Sequence, residues 1–413
     1  MTRFLIYTAP ATGHVNPLVP GVRELIRRGH EVHVRTHPDL VPMLRAEGID
    51  AAPVAPEILR VEITDYRASS DSERLTQGQV DLLERGRHDG PDFERAVAEV
   101  RPDAVLVDAI AYGAMIRAEC MDLPSAIVFP SVVPLPGRGI PPYGLGLAPM
   151  LGPIGRVRDA VLWKVVERAF GKAMLPGLNA LRAEAGLEPY RSPLDQYDRH
   201  QAVIVMAGEP LEYPRVDLPR HVHFVGVQPW DPPAAAPDYL ATPGDPWVLV
   251  TCSTDYQGDE DLARVAVEAL VDEPVRVVMT LADAYDSAGL TETPSIHLER
   301  FVSHSAVLPH VAAVVCHGGM GIVGKSMAAG VPVVTVPFGR DQPEIARRLV
   351  VSGAGVSVRA RRLTPARLRD AVRRARGMGE DARAVARTMA VSGGAAAFAD
   401  AALTLAKREI RRS

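Results

Sequence analysis

The sequence is poor in cysteine, with three in 413 residues, and this excludes a domain built on disulfides. Cys120, Cys252 and Cys316 lie in apolar surroundings without a C-x-x-C spacing, and an odd number cannot form a closed disulfide set. The sequence also shows no basic segment followed by an apolar signal core. We therefore expect a cytoplasmic protein.

Long apolar runs and blocks of like charge are missing as well. No apolar run reaches the roughly 18 residues that a membrane-spanning helix needs, so we expect no membrane insertion. The net charge is −4 and charges of both signs are interspersed, which argues against a nucleic-acid partner. A small neutral or anionic ligand fits this balance better, and the sequence leaves a homodimer open.

The dinucleotide fingerprint G-x-G-x-x-G is absent after the first apolar run. Residues 9–17 read APATGHVNP at that position. A dehydrogenase that uses a dinucleotide cofactor is therefore not expected.

The sequence does contain a repeated strand–helix alternation. Short β-branched runs at 4–7, 31–35, 104–107, 125–129 and 201–207 predict strands, and residues 17–28 carry an apolar stripe at helical spacing. Asn16 and Pro17 are predicted as N-cap and first helical residue, and Gly29 as the residue after the helix. This alternation predicts a parallel, doubly wound sheet.

A segment with six prolines, 227–247, separates this half from a second one in which strand-like runs recur at 248–253, 275–281, 312–317 and 331–337. We therefore predict an α/β protein of two doubly wound, Rossmann-like domains facing each other across a cleft. The predicted parts are 1–226, the linker 227–247, 248–395, and a last helix at 396–413. A Pro- and Gly-rich stretch at 131–153 is too punctuated for regular structure, and loops of that length are usually functional or mobile.

A glycine turn follows a buried strand in the second half, with the sequence CHGGMG at 316–321. His317, Gly318, Gly319, Met320 and Gly321 form the predicted turn, and residues 322–329 have helical composition. Glycines allow close backbone approach to an anion, and a helix N-terminus presents unpaired N–H groups and a positive dipole end. The turn therefore predicts a pyrophosphate site at the carboxyl ends of the strands.

Asp341 and Gln342 follow the next predicted strand. A carboxylate and a carboxamide together can accept hydrogen bonds from, and donate them to, the vicinal hydroxyls of a sugar. The alternative is a solvated helix start, with Asp341 as cap and Pro343 in the first turn.

His14 and Asp108 each follow a predicted strand of the first half. Such strand ends open onto the same crevice, and a carboxylate that accepts a hydrogen bond from one imidazole nitrogen raises the basicity of the other. The pair predicts a general base, against the alternative of a structural histidine.

Together these segments resemble the nucleotide-sugar-dependent glycosyltransferases of the GT-B type, specifically the family 1 enzymes that include plant and bacterial natural-product glucosyltransferases. The resemblance rests on GHVNPLVPGVRELIRRGHEVHV (13–34), RPDAVLVDAIAYGAMIRAECMDLPS (101–125), RFVSHSAVLPHVAAVVCHGGMG (300–321) and GVPVVTVPFGRDQ (330–342). It implies acceptor binding by the first domain, donor binding by the second, and a last helix (396–413) that crosses back to the first domain. The implied reaction is inverting transfer of a hexose from a dTDP- or UDP-sugar to a hydroxyl of a lipophilic natural product, with His14 as base and Asp108 orienting it.

The resemblance also assigns donor contacts by position. Phe301 would stack on the nucleobase, the Val302 backbone would contact its edge, and His304 would line the nucleotide pocket. His317, Gly319 and Gly321 match the pyrophosphate turn, and Asp341 and Gln342 match the pair that binds the donor sugar. Ser253 or Thr254 matches a hydroxyl contact to phosphate.

Three positions depart from the family pattern: Ile322 replaces a common Ser or Thr, Lys325 replaces the Glu that holds the ribose in plant members, and Ile345 replaces a common Asn. The Lys325 departure weakens the case for a UDP ribose and makes a dTDP-sugar more plausible. No cofactor or metal is expected, because the helix N-terminus and His317 take the leaving charge and the carboxylates form no compact cluster for Mg²⁺.

The acceptor is expected over the first domain, lined by the 131–153 loop and by Tyr112, Phe129, Tyr143 and Trp163. A polyketide, macrolide or aromatic aglycone would suit such a lining. Two other functions stay open at this stage: a non-catalytic homologue that activates a partner glycosyltransferase, and a sugar-nucleotide 2-epimerase.

Overall fold

In the residues that the computed structural model describes, 1–68, 71–253 and 260–409, thirteen strands form two parallel sheets. The strands of the first sheet are β1 (Arg3–Tyr7), β2 (Glu31–Thr36), β3 (Asp50–Pro53), β4 (Ala104–Asp108), β5 (Ser125–Phe129), β6 (Ala202–Val205) and β7 (Val222–Phe224). They lie in the order β3-β2-β1-β4-β5-β6-β7.

The second sheet repeats this plan. Its strands are β8 (Trp247–Thr251), β9 (Arg276–Thr280), β10 (Ile296–Glu299), β11 (Val311–Cys316), β12 (Val333–Thr335) and β13 (Gly355–Ser357). Their order is β10-β9-β8-β11-β12-β13, which matches the strand order 3-2-1-4-5-6 of dinucleotide-binding folds. The predicted pair of doubly wound α/β sheets is thereby confirmed.

Helices connect the strands of both sheets. In chain order they are α1 (Thr12–Val15), α2 (Leu18–Arg27), α3 (Val41–Ala46), α4 (Pro56–Leu59), α5 (Asp71–Val100), α6 (Tyr112–Cys120), α7 (Gly152–Glu184), α8 (Glu260–Leu270), α9 (His304–Val307), α10 (Met320–Ala328), α11 (Gln342–Ser352), α12 (Pro365–Arg376), α13 (Gly379–Met389) and α14 (Ala395–Glu409).

Alternating residues of the central strand β1 show how the helices cover the first sheet. Leu5 and Tyr7 belong to a core shared with α5 and α6, whereas Phe4 and Ile6 belong to a core shared with α2 and α14. All four side chains are buried, as expected for a strand with both faces covered.

Four strands have no counterpart in the sequence prediction: β3, β7, β10 and β13. All four are the edge strands of their sheets. An edge strand is covered on fewer sides, so its sequence lacks the continuous apolar run that marks a central strand.

The helix start after β1 differs from the prediction. Residues 12–15 already form the short helix α1, Asn16 closes it, and Pro17 occupies the N-cap position of α2 without a side-chain hydrogen bond. Asn16 is therefore not an N-cap. Gly29 does adopt the left-handed conformation expected just after α2, with φ +84°.

The proline-rich segment carries a short 3₁₀ turn at Asp238–Ala241 and leads directly into β8, which begins at Trp247. At the other end of the second half, α14 returns to the first sheet and packs on α2. Phe398 is fully buried there, and a β-carbon on Gly21 would lie 2.3 Å from its ring. The last helix therefore ties the C-terminal segment to the N-terminal sheet.

None of the helices within the described ranges is long and apolar enough to cross a membrane.

Candidate active site

A cavity of about 690 Å³ opens between the carboxyl ends of the two sheets. The first half supplies residues that follow β1, β4 and β5, together with parts of α5 and α7. The second half supplies residues that follow β8, β11 and β12. Ligands of open parallel sheets bind at this end of the strands, so the cavity is the candidate site.

The His14–Asp108 pair lies on the wall formed by the first sheet. β1 and β4 are neighbours, so residues that follow their ends come together although they are 94 positions apart. His14 Nδ1 lies 2.8 Å from Asp108 Oδ2, and Asp108 Oδ1 accepts a hydrogen bond from the Ile110 amide at 3.0 Å. The carboxylate is buried, whereas His14 lines the cavity. This arrangement favours the tautomer protonated at Nδ1, with the basic lone pair on Nε2.

Behind this pair, helix α5 carries charged residues that the sequence prediction missed. Arg85 donates to the Ile110 carbonyl at 3.1 Å and its Nε lies 3.9 Å from Asp89 Oδ2. Burial raises the pKa of Asp89 to about 7, with Arg85 opposing the rise and the charges of Asp92 and Asp108 adding to it. Their spacing on one helix face was the available signal, but only the packing of α5 on β1 and α6 shows what they face.

The glycine turn after β11 lies on the opposite wall. Gly318 has φ +97°, and a β-carbon on Gly319 would lie 2.4 Å from His317 Nε2, so neither position accepts a larger residue without a shift. Helix α10 begins at Met320, two residues earlier than predicted, so Gly321 belongs to its first turn. His317, Gly319, Gly321 and Ser253 line the cavity, whereas Gly318 is outside the lining and Thr254 lies outside the described residues.

Asp341 and Gln342 also line the cavity, at the start of α11. Asp341 occupies the N-cap position but makes no capping hydrogen bond through its side chain. Its Oδ2 instead accepts from Ser131 Oγ of the first domain at 2.5 Å. Gln342 is buried, and its Oε1 accepts from the amides of Phe338 and Gly339 at 2.8 and 3.2 Å. Asp341 therefore lies at the helix start that the alternative predicted, with Pro343 in the first turn, but its side chain does not cap the helix.

The loop before this pair is held from the other domain. Arg340 has φ +55°, an uncommon conformation for a non-glycine residue, and donates to both carboxylate oxygens of Asp65 at 2.8 and 2.9 Å. Arg74 adds a hydrogen bond to the Phe338 carbonyl at 2.9 Å. Asp65 and Arg74 both come from the segment between β3 and β4, which carries no motif that would select them.

On the predicted nucleoside side, the residues differ in their exposure. The Phe301 side chain is 62% exposed, the Val302 side chain is buried, and neither belongs to the cavity lining. Their contacts with the nucleobase stay predictions. His304 does line the cavity; burial, and then the charge of Lys325, lower its pKa to about 4. The aromatic side chain that reaches the cavity from the linker is Trp230, which the sequence analysis did not select.

Lys325 forms a partly buried ion pair with Asp231 of the linker. Asp231 Oδ2 also accepts from the amide and hydroxyl of Ser305, at 2.9 and 2.8 Å. Burial alone would raise the pKa of Asp231, but Lys325 and these hydrogen bonds lower it. Lys325, at the position that carries Glu in plant members, is therefore a cation whose charge is balanced by Asp231 of the linker.

The four predicted acceptor residues all line the cavity: Tyr112, Phe129, Tyr143 and Trp163. The Tyr112 hydroxyl donates to Gln79 at 2.6 Å, and Trp163 Nε1 donates to the Ile140 carbonyl at 3.1 Å. The apolar lining that the prediction missed is Ile58, Leu59, Val61, Ile63, Leu82, Val166, Phe170, Met174 and Leu194. Such residues give no signal in a sequence, because they are indistinguishable from core positions.

No group of three or more His, Cys, Asp or Glu suited to a metal ion occurs within the described part of the chain.

Comparison with known proteins places the whole chain among glycosyltransferases. Residues 264–397 match the family model described as "Erythromycin biosynthesis protein CIII-like, C-terminal domain". The chain is 31% identical over 391 residues to 4'-demethylrebeccamycin synthase of Lentzea aerocolonigenes, covering 90% of this chain and 91% of that one. It is 28% identical over 365 residues to demethyllactenocin mycarosyltransferase of Streptomyces fradiae, covering 84% and 74%.

The fold has close counterparts among solved structures. The glycosyltransferase VinC, crystallised with dTDP, superposes with a TM-score of 0.72 at 21% identity, over 98% of this chain and all of that one.

Proposed function

The chain belongs to the family of bacterial natural-product glycosyltransferases with the GT-B fold, and we propose that it is an inverting hexosyltransferase that joins a sugar from a dTDP- or UDP-sugar to a hydroxyl of a small lipophilic natural product. The observation that carries this proposal is that His14, hydrogen-bonded to the buried Asp108, lines the same cavity as the glycine turn after β11. A base and an anion site on opposite walls are what a direct displacement at a sugar carbon requires.

In the proposed mechanism, His14 Nε2 removes the proton from the acceptor hydroxyl. Asp108 holds the ring by its Nδ1–H and offsets the positive charge that develops on it. The acceptor oxygen attacks the anomeric carbon, and the bond from that carbon to the phosphate oxygen breaks. One displacement inverts the anomeric centre.

The nucleotide diphosphate would leave toward the N-terminus of α10. Unpaired amides at that end and the His317 side chain can stabilise the departing charge without a metal ion. Asp341 and Gln342 would hold the sugar hydroxyls, with Ser253 and His304 toward the nucleotide.

The Lys325–Asp231 ion pair supports a donor whose ribose needs no carboxylate. Asp231 already accepts hydrogen bonds from Lys325 and Ser305, so little of its accepting capacity remains for ribose hydroxyls. We therefore favour a dTDP-sugar, and the dTDP complex of the structurally similar VinC agrees with that choice. For the acceptor, the names of the two relatives fit an aromatic polycycle or a macrolide.

The helper and epimerase alternatives are less well supported, because several relatives, demethyllactenocin mycarosyltransferase among them, are named as transferases. A thermal-shift screen with dTDP, UDP and their glucose conjugates tests the donor, since a ligand at 100 times its dissociation constant stabilises by about 2.7 kcal/mol. No response to any nucleotide would favour a helper protein.

Transfer is then tested by mass spectrometry with a panel that holds a phenolic coumarin, an indolocarbazole and a macrolactone. We expect a glycosylated product of inverted configuration. Conversion of the sugar nucleotide into an epimer without any acceptor would revive the epimerase.

A further inference from the structure

Glu344 is a fully buried carboxylate on α11, close to the predicted donor-sugar pair at the start of that helix. Its Oε2 lies 2.6 Å from Arg348 Nη1. Its Oε1 accepts two backbone hydrogen bonds from the first domain, from the amides of Gly144 at 3.0 Å and Gly146 at 2.7 Å. A buried carboxylate with this many partners is strongly held.

The 144–146 segment is docked on α11 by more than these two bonds. Arg347 Nε donates to the Gly146 carbonyl at 2.8 Å. Gly146 has φ +57°, and a β-carbon there would lie 3.0 Å from the Pro343 carbonyl oxygen, so only glycine allows this approach without strain. The adjacent residue Tyr143 lines the cavity on the acceptor side.

Arg348 compensates the charge of Glu344 and links it to the body of the first domain. Its guanidinium stacks over the Tyr213 ring at 4.4 Å, and its Nη2 lies 3.5 Å from Glu212 Oε1. Both Arg348 and Glu212 are buried. The cluster Glu212, Arg348 and Glu344 therefore spans the two domains, but within it Glu344 is the member that binds the loop amides.

We propose that Glu344 is a positioning residue that fixes the Tyr143 loop to the helix presenting Asp341 and Gln342, so that the acceptor wall and the donor sugar are held at one spacing. The proposal rests on the proposed function. As a consequence, the contact between Glu344 and the loop amides decides whether the acceptor or water reaches the sugar. In the competing reaction, a water oxygen attacks the anomeric carbon, its proton passes to His14, and the bond to the phosphate oxygen breaks to give free sugar and nucleotide diphosphate.

The test compares hydrolysis with transfer in Glu344→Ala, using the donor and aglycone that the wild type accepts in the panel above. Because displacements near 1 Å change rates by about 100-fold, we expect the ratio of hydrolysis to transfer to rise at least about tenfold. The KM for the acceptor should rise, and the Kd for the free nucleotide should stay at the wild-type value.

Glu212→Gln is the matched control, because it removes the other carboxylate of the same cluster without touching the loop amides. It should lower the Tm but leave the hydrolysis-to-transfer ratio unchanged. If Glu344→Ala does not fold, Gly146→Ala breaks the same contact from the loop side and should raise the ratio.

Suppose that the wild type transfers sugar normally, and that folded Glu344→Ala or Gly146→Ala has the same ratio of hydrolysis to transfer as the wild type. This result would overturn the proposal for Glu344 and leave the proposed function standing. A raised ratio of hydrolysis to transfer in Glu212→Gln would also overturn it, because loss of the ion cluster, and not loss of the bonds to the loop amides, would then cause the rise. Absence of transfer by the wild type with every donor and aglycone would overturn the proposed function and, with it, this inference.

Discussion

His14 and Asp108 meet at 2.8 Å between Nδ1 and Oδ2, with the carboxylate buried and the imidazole on the cavity wall. The contact depends on the adjacency of β1 and β4 in the first sheet.

His14→Ala and Asp108→Asn should both lower kcat while leaving nucleotide binding intact. Loss of a general base reduces rates by about 10² to 10⁴, and the amide in Asp108→Asn can no longer fix the basic tautomer. Steady-state kinetics measure the loss, and calorimetric titration with the nucleotide is the control. Turnover by His14→Ala at the wild-type rate would remove His14 from the mechanism.

Asp89→Asn should change how stability depends on pH. Burial raises the pKa of Asp89 to about 7, from a value of 3.8 in the absence of such effects. Between these values the native state keeps a proton that the unfolded chain releases, so the free energy of unfolding falls as pH rises through this window.

The asparagine variant lacks this dependence. Its free energy of unfolding should therefore rise relative to that of the wild type between about pH 5 and about pH 8. The rise is at most about 1.4 kcal/mol for each unit by which the pKa of Asp89 is raised. Urea unfolding at the two pH values measures the gain. The exposed Asp122→Asn is the control. Parallel pH profiles for wild type and Asp89→Asn would contradict the expectation.

Asp65→Asn should weaken binding of the sugar part of the donor. The Asp65 carboxylate holds Arg340, which is in the left-handed conformation immediately before Asp341. The left-handed conformation of Arg340 costs about 1–3 kcal/mol. Without the Asp65 charge, no ion pair with Asp65 offsets this cost.

Calorimetry should show a higher Kd for the nucleotide sugar and an unchanged Kd for the nucleotide diphosphate. Arg67→Gln, in an exposed ion pair with Glu62 on the same segment, is the matched control. Equal weakening of both ligands by Asp65→Asn would mean that the ion pair supports the cleft as a whole.

Removal of divalent metal should leave transfer unchanged. The helix N-terminus at α10 and His317 are proposed to stabilise the leaving diphosphate, and a helix dipole and hydrogen bonds need no ion. Initial rates with and without EDTA measure the effect, with added Mg²⁺ as the reverse experiment. If EDTA abolishes activity and Mg²⁺ restores it, a metal ion stabilises the leaving diphosphate and the expectation is wrong.

Central strands were predictable because both faces are covered by helices, which requires a continuous apolar run such as that at 104–107. The edge strands β3, β7, β10 and β13 were missed for the opposite reason: their burial is partial, as in Ile296–Glu299, where only the first residue is buried. Helix starts were the other weakness, since Asn16 fits the composition of a cap but closes α1 instead.

In the site, residues that follow central strands could be selected from sequence, because such ends converge in a parallel sheet. Contacts made across the cleft or by the linker could not be selected in this way. Ser131 with Asp341, Asp65 with Arg340 and Asp231 with Lys325 are each about 94 or more positions apart and follow no motif. The role of Phe301 stays a prediction from its motif position, and its side chain is 62% exposed.

The sequence by itself determined the two parallel α/β sheets and the glycine turn after β11, because strand periodicity, apolar runs and the backbone freedom of glycine are local properties. Only the tertiary structure decided which side chains face one another across the cleft. Those pairings depend on how two sheets and the loops between them pack, and packing joins residues that no local pattern relates.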